Sequence, residues 1–253
     1  MDATTKKELM KIACKIRMGV IEGTFHAKSG HPGGSLSIAE DLSYLYWREM
    51  NVDPKNPKME NRDRLVLSKG HTAPALYAAL ALKGFFPESE LKSLRHIGSM
   101  LQGHPDMKHI PGDSYRTYTI VGDGEIEEGQ VWEAAMFASH YKLDNLVAVV
   151  DNNNLQIDGT VEEVMSPYPI PEKFAAFGWH VITIDAHNFD EIEKAFEEAK
   201  TVKGKPTVIV QKSIKGKGVS FMENQVGWHG SAPNAEQYEQ ALKELRDTLN
   251  DLD

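Results

Sequence analysis

Residues 117–159 read TYTIVGDGEIEEGQVWEAAMFASHYKLDNLVAVVDNNNLQIDG, and this stretch decides the fold. A β-branched and aromatic run at 118–121 breaks at Gly122-Asp123-Gly124, passes through a helix-like segment, and gives way to a second apolar run at 146–150. Two short apolar runs around one helical segment predict buried strands of a parallel βαβ unit, whose strand ends lie on one edge of the sheet. Asp123 then lies near the loop that carries Asn153, at the edge where ligands of such sheets bind. Glycines allow a sharp turn and close approach to a ligand, and the N–H groups at a helix start attract anions. A carboxylate, an amide oxygen and a backbone carbonyl are hard donors suited to magnesium or calcium, with phosphate oxygens completing the shell. The stretch therefore reads as a metal-bridged diphosphate site, against the plainer reading of Asp-Gly and Asn-rich turns.

Outward from this unit, the same alternation continues. Strands are expected at 64–68, 179–184 and 206–212, and helices at 6–28, 38–47, 88–95, 189–202 and 236–249, with a further helix over APALYAALALKG. Leu9, Ile12, Ala13, Ile16, Val20 and Phe25 keep helical spacing, and the glycines and proline of SGHPGGS stop that helix. Alternation of strand and helix predicts an α/β fold, a doubly wound parallel sheet with helices on both faces. The segment SIKGKGVSFMENQVGWHGSAPN is a long glycine-bearing loop, a type that is usually functional or disordered. With no internal repeat and no linker, 1–253 is expected to form one domain.

The 253 residues carry a formal net charge of −9, which argues against a general nucleic-acid binder. No long uncharged apolar run predicts a membrane span, and the charged N-terminal segment does not resemble a secretory signal. Cys14 is the single cysteine, so no internal disulfide forms and a cytoplasmic setting is expected. Its apolar neighbours mark it as a small core residue rather than a nucleophile.

The GDG joined across one helix to an NN pair resembles the thiamine diphosphate motif. KSGHPGGSLS, DRLVLSKGHTAPALYA, LQGHPD and GWHGSAP resemble, in order, the N-terminal half of transketolase, so that the resemblance covers nearly the whole chain. It implies a thiamine diphosphate-binding fold, with thiamine diphosphate and Mg2+ (or Ca2+) as cofactors. Asp123, Asn153 and the carbonyl of Leu155 would hold the metal, Gly124 would contact the diphosphate, and His71 would lie beside the diphosphate and thiazolium. His31, His104 and His229 would surround the reacting hydroxyls and carbonyl of the sugar, which suits imidazoles that exchange protons near neutral pH. Glu128 would join an acidic network across an interface. His26, His96, His109, His140, His180 and His187 are read as structural, and Lys215 and Lys217 as a solvated loop rather than a phosphate site.

The implied activity is transfer of a two-carbon ketol unit between sugar phosphates in the pentose phosphate pathway. The chain resembles the N-terminal subunit of a split transketolase, since nothing in it can supply the cofactor-activating glutamate of the pyrimidine-binding domain. The expected partner is a separate C-terminal subunit, in a dimer of heterodimers, with no nucleic acid and no membrane. A second departure lies where Gly112 runs into Asp113. The family has a threonine-glycine-rich turn and a helix there, which carry cofactor contacts and cover the sheet. Either the segment is deleted and the cofactor site is weakened, or a mobile loop belongs there in addition to these 253 residues. The apolar area that the helix covers, worth on the order of 25 cal/mol per Å2, favours the second. Alternatives to the main reading are a cofactor-deficient scaffold and a related thiamine enzyme such as 1-deoxyxylulose-5-phosphate synthase.

Overall fold

The computed structural model describes residues 1–104 and 115–253. Five strands form one parallel sheet: β1 (Arg64–Leu67), β2 (Thr117–Gly122), β3 (Leu146–Asn152), β4 (His180–Asp185) and β5 (Thr207–Lys212), in the order β1-β2-β3-β5-β4. Alternate residues of the central strands serve two cores, because a parallel sheet buries both faces. Leu65, Tyr118, Ile120, Val147, Val149 and Ile209 face the larger core, while Val121, Ala148, Val150, Val208 and Val210 face the smaller.

The larger core is closed by α1 (Ala3–Ala27), α2 (Pro32–Leu36), α3 (Ala39–Tyr44), α4 (Ala73–Lys83), α8 (Phe189–Thr201) and α9 (Ala235–Asp251). Asp2 caps α1 by accepting from Thr5 N at 2.8 Å, and Lys28 ends it in the left-handed region. Asn234 and Gln237 form a reciprocal cap on α9, which sets Ala241, Leu242 and Leu245 against α1. The smaller core is covered by α5 (Gly129–His140) and α7 (Ile170–Ala176), with α6 (Val161–Val164) between β3 and α7.

Three local expectations are corrected. SGHPGGS does not merely end α1: Pro32 opens α2, because proline fits the first turn, where no N–H is needed. The expected helix at 38–47 becomes α3 followed by a π-helical turn at Leu45–Glu49, and that at 88–95 is a 3-10 helix, Glu88–Ser93. The short helices α6 and α7 had no clear apolar period to announce them. The loop after β5 is ordered and packed, with Val219 and Met222 fully buried.

Candidate functional site

The β2–β3 register pairs Gly122 with Asp151, so the GDG turn and the Asp-Asn-Asn-Asn turn leave the sheet side by side. The ends of β1 and β5 lie on the same edge, because every strand runs parallel. Between them is a cavity of about 240 Å3 whose lining includes Lys69, His71, Asp123, Asn153, Lys215 and His229.

Asp151 organises the floor. It is fully buried and accepts from Lys69 Nζ, from Ser213 Oγ, from Ser37 Oγ at 2.8 Å and from Asn153 Nδ2 at 3.0 Å. Burial alone would raise its pKa, but the Lys69 ammonium and the two hydroxyls hold the carboxyl below its ordinary range. Because the Asn153 amide nitrogen is committed to Asp151, its Oδ1 is the atom left to accept, here from Leu155 N at 3.1 Å. Asp123 accepts from Gly124 N at 2.9 Å and from Asn154 N. Burial first, and then the Asp151 charge, push the Asp123 carboxyl up to about 6, the condition of a buried carboxylate short of positive charge. A Cβ on Gly124 would meet Gln156 Cβ at 3.2 Å, so glycine keeps this backbone open to a ligand.

Asp123, Asn153 and Leu155 therefore line one cavity. Among the described residues no three His, Cys, Asp or Glu side chains cluster to hold a metal. The donor set is one carboxylate and two neutral oxygens, which fits a hard divalent cation only when ligand oxygens complete its shell.

Three of the four singled-out histidines meet above this floor. Ring centroids are 5.1 Å apart for His31–His71, 5.6 Å for His31–His229 and 5.2 Å for His71–His229, the last pair stacked. Burial and then the Lys69 charge push His71 down to about 2, while burial and then Lys215 push His229 down to about 4. Burial and the positive charge of Arg95 lower His31 as well. All three are neutral imidazoles near pH 7, able to accept or donate a proton. His104 lies at the rim, where a Cβ on Gly70 would meet its ring at 2.7 Å, and it is exposed. Pro105 and Asp106 of its GHPD motif, together with His109, lie outside the described residues. Glu128 is exposed and precedes α5.

The reading of Lys215 as solvated is corrected, since the residue is 2% exposed. Its Nζ donates to Leu155 O at 2.8 Å and lies 2.8 Å from His229 Nδ1. Burial and the neighbouring Lys69 push its ammonium down to about 8. A glycine-lysine loop looks solvated in sequence because nothing local shows Gly216 N donating to Gly33 O at 2.9 Å and drawing the loop across the sheet edge. Lys217 does remain half-exposed, 3.5 Å from Glu223. Lys69 and Asp151 were also missed, because their pairing joins the ends of different strands. Two lysines in a neutral-imidazole cavity make a floor suited to an anionic ligand.

Residues 9–115 and 113–248 match the family described as transketolase, thiamine diphosphate binding domain. The chain belongs to this family. It is 48% identical over 242 residues to the 6-deoxy-6-sulfo-D-fructose transketolase subunit of a Clostridium strain, covering 85% of this chain and 88% of that protein. Identity with an apulose-4-phosphate transketolase subunit of Phocaeicola vulgatus is 39% over 265 residues, covering 94% of each. The crystal structure of transketolase from Campylobacter jejuni superposes with a TM-score of 0.88 at 30% identity, covering 99% of this chain and 43% of that one. The chain thus spans less than half of that transketolase and most of the two separate subunits.

The family match comes in two pieces that meet at residues 113–115, and the sequence is continuous there. The junction between Gly112 and Asp113, where the family has a further turn and helix, lies outside the described residues. Among the described residues the sheet is open on one side of β1, where Val66 is 42% exposed, and an open cavity of about 410 Å3 is lined by Thr119, Val121 and Ala134.

Proposed function

We propose that this chain is the diphosphate-binding subunit of a transketolase that moves a two-carbon ketol unit between sugar phosphates, using thiamine diphosphate and Mg2+ and acting only with a separate C-terminal subunit. The observation that carries the reading is the convergence of Asp123, Asn153, the Leu155 carbonyl, two lysines and three neutral histidines at one sheet edge.

When bound, thiamine diphosphate supplies the nucleophilic carbon. Asp123 Oδ, Asn153 Oδ1 and Leu155 O would hold Mg2+, and the cation would relieve the charge deficit around Asp123. Lys69 and Lys215 would hold the diphosphate by their positive charge, and Gly124 would let it approach the backbone. His31 and His229, neutral at working pH, exchange protons with the hydroxyls and carbonyl of the sugar, and His104 does so from the rim. The partner's pyrimidine-binding domain would close the site, in a dimer of heterodimers, and the exposed Met136 and Phe137 of α5, with Tyr141 just after it, are apolar surface available to such an assembly. The proposed setting is cytoplasmic, in the pentose phosphate pathway; no helix among the described residues is long and apolar enough to cross a membrane.

The test is turnover. Mixed with its C-terminal subunit, thiamine diphosphate and Mg2+, the chain should convert xylulose 5-phosphate with an aldose phosphate acceptor. No turnover with saturating cofactors sinks the reading, and decarboxylation of pyruvate in its place would point to a synthase of the 1-deoxyxylulose-5-phosphate type. The departure between Gly112 and Asp113 favours a second reading, a scaffold that has lost cofactor binding. Calorimetry of thiamine diphosphate with Mg2+ into the assembled pair separates the two, because the scaffold gives no binding heat.

A further inference from the structure

His187 lies outside the cavity, on the turn between β4 and α8, yet it touches the loop that carries Lys215. Ile214 N donates to His187 Nε2 at 3.0 Å. A backbone N–H can only donate, so Nε2 is the bare nitrogen and the ring proton is on Nδ1. Nδ1 lies 3.2 Å from Glu40 Oε2, close but not directed as a formed hydrogen bond. Glu40 in turn accepts twice from Arg17 Nη2, at 2.8 and 2.6 Å, while Arg17 Nε donates to Leu36 O at 3.2 Å. Arg17 and Glu40 are buried, and His187 is nearly so. This line joins α1, α3 and the β4–α8 turn to one backbone amide.

That amide is adjacent to Lys215, and the far side of the lysine is tied as tightly. Gly216 N donates to Gly33 O at 2.9 Å, and Asn224 N donates to Lys215 O at 2.9 Å. Gly216 has φ +81° and a Cβ there would come within 2.2 Å of Met222 O, so its backbone conformation has little freedom. The side chain of Lys215 is therefore aimed by its own backbone, held at Ile214 on one side and Gly216 on the other.

We propose that His187, seated beside the Glu40–Arg17 pair, is a positioning residue that fixes the Ile214 amide and so aims Lys215 at the diphosphate end of the cavity. The inference rests on the reading of that cavity as a diphosphate site. The relay leaves the family's proton-exchanging histidines untouched and assigns a purpose to a fourth, distant one.

The test uses the full chain with Mg2+ and inorganic pyrophosphate, measured by calorimetry, so that no turnover is needed. His187→Leu removes the acceptor and should weaken pyrophosphate by about 10- to 100-fold, the usual cost of losing an outer partner of a binding group. His187→Gln, whose side-chain carbonyl can accept from Ile214 N, should recover most of that loss. In a Lys215→Met background, His187→Leu should add little, because the group that it aims is gone. A general packing defect would instead weaken both backgrounds equally, and that result overturns the relay. Two-bond 15N–1H spectra of the imidazoles read the tautomer without ligand: a proton on Nε2 of His187 also overturns it. If the wild-type chain binds no pyrophosphate, the cofactor-site reading has failed; if it binds and His187→Leu binds equally well, only the relay has.

Discussion

Replacing Asp151 by asparagine keeps the shape of the side chain and removes one buried negative charge on which four donors converge. Ser37 and Ser213 can turn their hydroxyls to suit an amide, but the Lys69 ammonium, whose side chain is 2% exposed, can only donate. The variant leaves that cation buried without its counter-charge. Breaking a buried ion pair from one side costs about 3–5 kcal/mol, because the surviving charge has lost both water and partner. With a urea m-value of about 2–3 kcal/mol/M, the unfolding midpoint should fall by about 1–2.5 M at an unchanged slope. Adding Lys69→Met removes the stranded cation, so the double variant should be more stable than Asp151→Asn alone, since an apolar replacement of a buried pair is often neutral. Asn153 should respond as well, because its amide nitrogen would face another amide in place of a carboxylate, and Mg2+-dependent pyrophosphate binding should weaken. A stability loss below about 1 kcal/mol, the scale of an exposed pair, would refute the reasoning. So would a double variant whose losses simply add.

Asp41, fully buried and accepting from Gln211 Nε2 at 2.6 Å, is pushed up to about 8 by burial and then by the charges of Asp151 and Glu40. A raised folded pKa gives stability that is complete below the unfolded value and lost as pH rises through the folded one. Between pH 6 and 9 the wild type should therefore lose about 2–3 kcal/mol more than Asp41→Asn, read from urea midpoints at each pH. His71 has the opposite sign: its folded pKa is depressed, so its contribution is present above about 6.5 and fades as pH falls. From pH 7 to 5 the wild type should lose about 2 kcal/mol relative to His71→Asn, and parallel curves would contradict the placement of this imidazole. Phe137→Lys on α5, where the phenyl ring is 58% exposed, should change the stability of the isolated chain by no more than about 0.5 kcal/mol. The same change should weaken association with the C-terminal subunit, measured by sedimentation; a large loss of monomer stability with association intact would show that the face is internal.

The strands were legible in the sequence because burial on both faces writes continuous apolar runs, as at 146–150, and because GDG and DNNN punctuate them. Legibility stopped where a role depends on partners distant in sequence. Nothing around Lys69 foretells that Asp151 will hold its ammonium, and nothing around Lys215 shows that Gly33, Leu155 and His229 will bury it. Of the four histidines that the motifs singled out, His31, His71 and His229 converge, while His104 stays at the rim.

The contact between His31 and His229 joins the first helical turn after α1 to the loop just before α9, which itself packs on α1. During synthesis, residues 1–212 can pair all five strands before the loop with Lys215 and His229 has left the ribosome. The face of the cavity that carries Lys215 and His229 thus follows in sequence all five strands that support it, and a chain interrupted between the two would carry the strands without the complete cavity. Acquisition of ligand then doubles as a report that translation has passed His229.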